Sequence, residues 1–240
     1  MSDTTVTQLG DRPTDPPLGA LVTANPGVAR VLEKFGLDYC CGGQTRLTVA
    51  CLEAGLDPDE VRAALAAVDI DNEVAWADLE PVELIDHVLA VHHAYLREEL
   101  PAVDQLASKV ASVHRERHPE LVELAATVAE LRADLEPHMA REELALFPMI
   151  RQLVEADGAT SNGPSADDLE RGPITAMRFE HDQTGRLLER LRSLSSGFEV
   201  PDDGCASYSS LYQRLAVLEA DTHLHVHKEN NVLFEAVAGL

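Results

Sequence analysis

The chain has 240 residues, 45% of them hydrophobic and 25% charged, and its 42 acidic against 19 basic side chains give a formal net charge of −23. So negative a surface repels phosphate backbones and excludes direct nucleic-acid binding. No apolar run is long enough to cross a bilayer, and the N-terminus lacks the basic-then-apolar pattern of a secretory signal, so a cytoplasmic protein is expected. Aromatics at 4% leave cores to Leu, Val and Ala, which suits helices better than sheets.

Residues 1–16, rich in Thr, Asp and Pro, read as a disordered tail. Residues 17–70 read as a small helical domain. Asn25-Pro26 opens a helix that Gly36 ends, a second lies near 44–54, and Asp57-Pro58 opens a third that stops around Val68. A unit this short buries little surface and is expected to pack on something larger. Cys51 falls in its second helix as a small core residue. Residues 71–80 form an acidic linker with Trp76, the one tryptophan. Over 81–240 the pattern predicts four helices, near 81–108, 119–154, 173–196 and 206–237, the first three opened by Pro81, Pro119 and Pro173. Pro137 should kink the second, and the Gly- and Asn-containing stretch 155–172 is a loop. The expected fold is all-α: a small N-terminal helical domain and a C-terminal up-down four-helix bundle.

Polar residues interrupt the apolar stripes of these helices. The last helix reads Leu211, Leu215, Leu218, Thr222, His225, Glu229, Val232, alternating steps of four and three that mark one face. The second reads Leu124, Val128, Leu131, Leu135, His138, Glu142, Leu146, Met149; the third Ile174, Met177, His181, Thr184, Leu188, Leu191; the first Leu89, His93, Leu96, Leu100, Val103. A lone histidine on such a stripe is more often a hydrogen-bonded core residue. Six intrusions together need partners, because an unpaired buried carboxylate costs several kcal/mol. Metal is the economical partner.

Internal duplication strengthens that reading. His93 and His138 are 45 residues apart, His181 and His225 are 44 apart, and Leu146-Phe147 and Leu233-Phe234 fall at matching offsets. Each half is a helical hairpin with one His on its first helix and His-x-x-x-Glu on its second. Two hairpins docked as a bundle would gather four imidazoles and two carboxylates in the middle. Imidazoles can cap each of two ions and carboxylates can bridge them, with oxide, hydroxide or water completing the set. Mixed N and O donors without thiolate suit non-haem iron better than manganese or zinc. His92 competes with His93 for the ligand position, because the sequence fixes that helix's phase only to within a residue. Asp86, on the same face, is a candidate to hydrogen-bond a ligand imidazole. His87, His223 and His227 read as outer or surface residues.

The chain resembles the repair-of-iron-centres family of iron–sulfur cluster repair di-iron proteins, from about residue 17 to the C-terminus. The resemblance rests on Asp38-Tyr39-Cys40-Cys41-Gly42-Gly43, Leu84-Ile85-Asp86-His87 and His93 with Arg97-Glu98-Glu99-Leu100-Pro101. It continues through His138, Glu142-Glu143 and Leu146-Phe147-Pro148-Met149-Ile150, then Gly172-Pro173-Ile174 and Glu180-His181-Asp182, and ends at His225 with Glu229-Asn230-Asn231-Val232-Leu233-Phe234. It implies a hemerythrin-like fold with a non-haem di-iron centre. The implied ligands are His93, His138, Glu142, His181, His225 and Glu229, which favours His93 over His92. It also implies a role in restoring iron–sulfur clusters damaged by nitric oxide or oxidants, by donating iron to the damaged proteins. A nitric oxide or nitrite reductase, and a module that binds or senses oxygen or nitric oxide, are the alternatives.

The four cysteines, Cys40, Cys41, Cys51 and Cys205, are too few and too unevenly placed for a disulfide framework. Adjacent cysteines rarely close a disulfide with each other. In a glycine-flanked turn before a helix, Cys40 and Cys41 should have lowered thiol pKa and good access. They then fit thiolate exchange, iron transfer, or an intermolecular link in a homodimer.

Overall fold

The computed structural model describes residues 15–69, 76–156 and 165–240. Most of the tail expected over 1–16, the linker as far as residue 75 and the middle of the 155–172 loop lie outside the described residues. Among the described residues regular structure is helical apart from one bridge pairing Pro17 with Arg46. No helix of theirs is long and apolar enough to cross a membrane.

The N-terminal part starts with a helix the sequence pattern did not signal, α1 (Leu18–Ala24). Asn25 accepts a hydrogen bond from the Gly27 amide at 3.1 Å and leads through a 3-10 turn (Pro26–Val28) into α2 (Ala29–Lys34). Gly36, at φ +66°, ends α2 in the left-handed region where a side chain would be strained. After the Cys40–Cys41 turn come α3 (Leu47–Glu53) and α4 (Pro58–Ala66). The Asp57 side chain caps α4 by accepting from the Asp59 amide at 2.9 Å, and Pro58 occupies a first turn that needs no donor.

Four long helices follow, each carrying one π turn. Helix α5 comprises Pro81–Val88, the π turn Leu89–His93 and Ala94–His114. Helix α6 comprises Glu120–Arg141, the π turn Glu142–Leu146 and Phe147–Glu155. Pro137 lies inside the unbroken α-helical stretch of α6, and the change in coiling comes at Glu142 instead. Helix α7 comprises Ala166–Leu169, the π turn Glu170–Ile174 and Thr175–Leu194. It therefore starts at a Ser165–Asp168 capping box and not at Pro173. Pro173 falls in the π turn, where the regular hydrogen-bond ladder is already interrupted and a missing donor costs little. Helix α8 comprises Ala206–Lys228, the π turn Glu229–Leu233 and Phe234–Ala238.

Helix α5 packs on α6, α6 on α7, and α8 on both α5 and α7, which closes the ring of an antiparallel bundle. Its apolar interior falls into two clusters. One, around Leu100, Leu124, Leu131, Leu188 and Leu215, fills the end nearest the α5–α6 connection. The other joins Phe147, Ile150 and Phe234 of the bundle to Leu18, Leu32, Tyr39 and Cys51 of the N-terminal part. That part is thus docked through a shared core, as its small size requires. Buried polar side chains lie where the two clusters meet.

Candidate metal centre

His93 closes the π turn of α5, while Glu142 and Glu229 open those of α6 and α8. A π turn inserts an extra residue and shifts the phase of the helix face. Past each glutamate, two consecutive residues consequently face inward: Leu146 with Phe147, and Leu233 with Phe234, all at most 1% exposed. The wider coil lets a helix present a carboxylate and, directly after it, resume an apolar core.

The structure brings all six expected side chains together. His93, His138, Glu142, His181, His225 and Glu229 are buried, and their donor atoms form two groups that share both glutamates. Glu142 turns Oε2 to His93 Nε2 at 3.3 Å and Oε1 to His138 Nε2 at 3.2 Å. Glu229 turns Oε1 to His225 Nε2 at 3.1 Å and Oε2 to His181 Nε2 at 3.1 Å. Each carboxylate thus spans two imidazoles from different helices or turns. The ring nitrogens meet in pairs, His93 with His225 at 3.2 Å and His138 with His181 at 3.1 Å.

Three of the four rings are oriented from behind. His93 Nδ1 donates to Glu143 at 2.7 Å, His138 Nδ1 to Glu180 at 2.8 Å, and His181 Nδ1 to Asn230 Oδ1 at 2.9 Å. Arg97 and Arg141 hold Glu143 and Glu180 in turn. A ring that donates from Nδ1 offers a lone pair at Nε2, so facing Nε2 atoms about 3 Å apart call for a proton or a metal cation between them. Both Glu142 oxygens and Glu229 Oε2 are buried acceptors with no donor of their own. The residues fit a pair of hard or borderline cations.

The electrostatics agree. Burial opposes ionisation of Glu142, but His138, His181 and His93 outweigh it and hold the carboxyl well below its usual range. Burial and the nearby Glu142 both oppose charge on Glu229, yet His225 and His181 hold it down at about 2. Burial likewise opposes a charge on His138, and Glu142 and Glu180 still raise it to about 9. Protons and a metal ion compete for the same Nε2 lone pairs, so binding would expel protons.

Several expectations need correction. Asp86 does not reach a ligand ring; it is exposed and pairs with Arg151 on the outside of the bundle. Glu143, Glu180 and Asn230 take that role. The sequence carried a signal for them, because each is adjacent to a ligand: Glu142-Glu143, Glu180-His181, Glu229-Asn230. His92 stays out of the ligand set, its Nδ1 on Asp221 at 2.9 Å and its Nε2 on Lys228 Nζ at 2.7 Å, and it stacks on His225. Lys228 also meets His87 at 2.9 Å and lies 5.3 Å over the Trp76 ring. Its burial lowers its pKa to about 8. His227 is fully buried, against Thr23, the Tyr39 carbonyl and Trp76, and is no surface residue.

The thiols differ from expectation most. Cys40 is buried, 3.9 Å from Cys41 Sγ and 3.2 Å from Asp38 Oδ1. Its hydrogen bond to Cys41, its burial and the Asp38 charge raise its thiol pKa well above the ordinary value, the reverse of the lowering expected. No helix N-terminus compensates, because α3 starts at Leu47. Cys41 is half-buried on the wall of a cleft of about 480 Å³ lined also by Tyr39, Asp182, Gly185 and His223.

Ring-packed helices around twinned His/Glu sets define a hemerythrin-like protein, and residues 84–237 match the profile of the Hemerythrin HHE cation binding domain. Residues 14–69 match ScdA_N, a Domain of Unknown function (DUF542). The Iron-sulfur cluster repair protein YtfE of Enterobacter sp. (strain 638) is 35% identical over 229 residues, covering 94% of this chain and 98% of its own. The proteins of the same name from Escherichia coli O1:K1 / APEC and Escherichia fergusonii are 34% identical over 227 residues, with the same coverage. The chain belongs to this YtfE family of iron-sulfur cluster repair proteins.

Proposed function

We propose that the protein is a cytoplasmic di-iron protein that supports repair of iron–sulfur clusters damaged by nitric oxide or oxidants, with iron as the cargo it delivers. The observation that carries this reading is the pair of shared glutamates, each spanning two imidazoles in a buried, twinned site. His93, His225, His138 and His181 would cap two ions, and Glu142 and Glu229 would bridge them. When bound, the ions supply redox chemistry and an affinity for nitric oxide or oxygen species. The chain's own part is positional. Glu143, Glu180 and Asn230 keep the Nδ1 protons in place, so that three rings present bare Nε2 lone pairs. Phe147 and Phe234 flank His93 and His181 and exclude water. Cys40 and Cys41 serve thiol or iron transfer at the cleft, to damaged iron–sulfur proteins as partners. Both the names of the relatives and the donor set support this reading.

The test pairs iron-loaded protein with a nitric-oxide-treated [4Fe–4S] protein and follows recovery of the cluster. Recovery with loaded protein, and none with Glu142→Leu or with chelated protein, is expected. Equal recovery from all three would remove the site from the function.

A further inference from the structure

Three residues within about one turn, His227, Asn230 and Asn231, join the Cys40–Cys41 turn to the helix that carries Glu229. Asn231 Nδ2 donates to the Cys40 carbonyl at 2.9 Å and to that of Tyr39 at 3.4 Å. His227 Nδ1 meets the Tyr39 carbonyl at 3.3 Å. Asn230 Nδ2 reaches the Cys40 carbonyl at 3.4 Å, and its Oδ1 accepts from His181. Asn230 hydrogen-bonds both the turn and a ligand ring. Close approach is built in: a Cβ on Gly43 would stand 2.3 Å from Asn231 Oδ1, and one on Gly19 would stand 2.8 Å from it. The turn is otherwise held by Asp38, whose carboxylate accepts from the amides of Cys40, Cys41 and Gly42 at 2.9–3.0 Å.

We propose that Asn230 is a positioning residue that couples the two cysteines to the metal centre: ligation of His181 fixes the Asn230 amide, and the amide fixes the Cys40 backbone. The logic is one of geometry. A metal bond at His181 Nε2 sets the ring's orientation and places its proton on Nδ1. The Nδ1 proton holds Asn230 Oδ1, which leaves Nδ2 to point the other way, at the Cys40 carbonyl. Without that bond the ring can turn between Glu142 and Glu229, the amide loses its fixed direction, and the turn loses one of its restraints. Cys41 faces the cleft, with its sulfur about a van der Waals contact from where a Gly185 Cβ would lie, at 3.8 Å. A looser turn frees both thiols toward that cleft. The thiols are thereby more reactive when the centre is empty than when it is full. Coupling acts in both directions, so a modified thiol should in turn weaken iron retention.

This inference rests on the proposed metal ligands, and the experiment separates the two. Iodoacetamide labelling of Cys40 and Cys41 is timed by peptide mass spectrometry in the full-length protein, before and after iron loading. In the unsubstituted protein, loading should slow labelling about fivefold or more. In Asn230→Asp, which gives His181 a charged acceptor but loses the donor to Cys40, iron should bind at least as tightly as in the parent while the two labelling rates converge. Asn231→Ala, which loosens the turn without touching His181, should raise both rates and keep their ratio. A parent ratio near one in protein that does take up iron overturns the coupling, as does an unchanged ratio in Asn230→Asp. Failure of the parent to bind iron at all would instead overturn the ligand assignment.

Discussion

Replacing Glu180 with Gln tests whether the acids behind the imidazoles tune the site. Glu180 accepts from His138 Nδ1 at 2.8 Å and from Arg141 at 2.7 Å, and its side chain is only 19% exposed. Gln keeps the size and an acceptor but removes the charge. A hydrogen bond to a charged acceptor is worth about 1.5–3 kcal/mol and a neutral one about 0.5–1.5 kcal/mol, so the change costs about 1–1.5 kcal/mol at the ring. Arg141 is half exposed and re-solvates at little cost. Each 1.4 kcal/mol or so is about tenfold in affinity, so iron binding should weaken about tenfold. Glu180→Leu, which leaves His138 Nδ1 without an acceptor, should approach a loss of about 100-fold. Chelator competition at neutral pH, read from the ultraviolet absorbance of the bound iron, gives both affinities. Parent-like affinity in both variants, with helicity retained, would refute the claim that these acids orient the ligands.

Glu142→Leu should bind less than one iron per chain by metal analysis, and the metal-free variant should fold but melt lower than the metal-free parent. Removing one partner of a buried pair leaves His138 and His181 without the carboxylate that offsets their charge; an unchanged melting temperature would say otherwise. His227 is held near pKa 4 by burial, with the Tyr39 carbonyl opposing and the Lys228 charge adding, against an ordinary value of 6.5. Because the folded pKa is the lower one, its contribution is intact above about pH 6.5 and is lost as pH falls through 4. The gap corresponds to about 3 kcal/mol at about 1.36 kcal/mol per pH unit. Melting of the metal-free protein, followed by the fluorescence of Trp76 at 5.5 Å from this ring, should lose stability across that window, and His227→Gln should flatten the slope; equal slopes would count against it. Gly43→Ala forces its Cβ to within 2.6 Å of the Tyr39 carbonyl oxygen, a backbone atom that cannot simply swing aside. It should cost about 1–3 kcal/mol and speed proteolysis of α1–α4, with parent-like stability as the contrary result.

The helical bundle was legible because four apolar stripes with a helical period dictate it. The gathering of His138 with Glu142 and of His225 with Glu229 could be read because residues four apart share a helix face. Other features were hidden for physical reasons. The π turns at Leu89, Glu142, Glu170 and Glu229 leave no mark in a four-and-three count, because the extra residue shows only as a doubled apolar position such as Leu146-Phe147. The partner of His93 is Glu143, fifty residues away, and only tertiary packing brings them together. The same packing buries His227 and Cys40, whose surroundings come from parts of the chain far apart in sequence. Helix α1 escaped notice because Pro16-Pro17 and Asn25-Pro26 bracket too few residues for a periodic signal.

The most direct test is metal analysis of protein produced without added iron, paired with its ultraviolet–visible spectrum. The account expects two irons per chain, near-ultraviolet absorption of a bridged ferric pair, and loss of both in a Glu142→Leu/Glu229→Leu double variant. Zinc alone, or iron undiminished in the double variant, would contradict it.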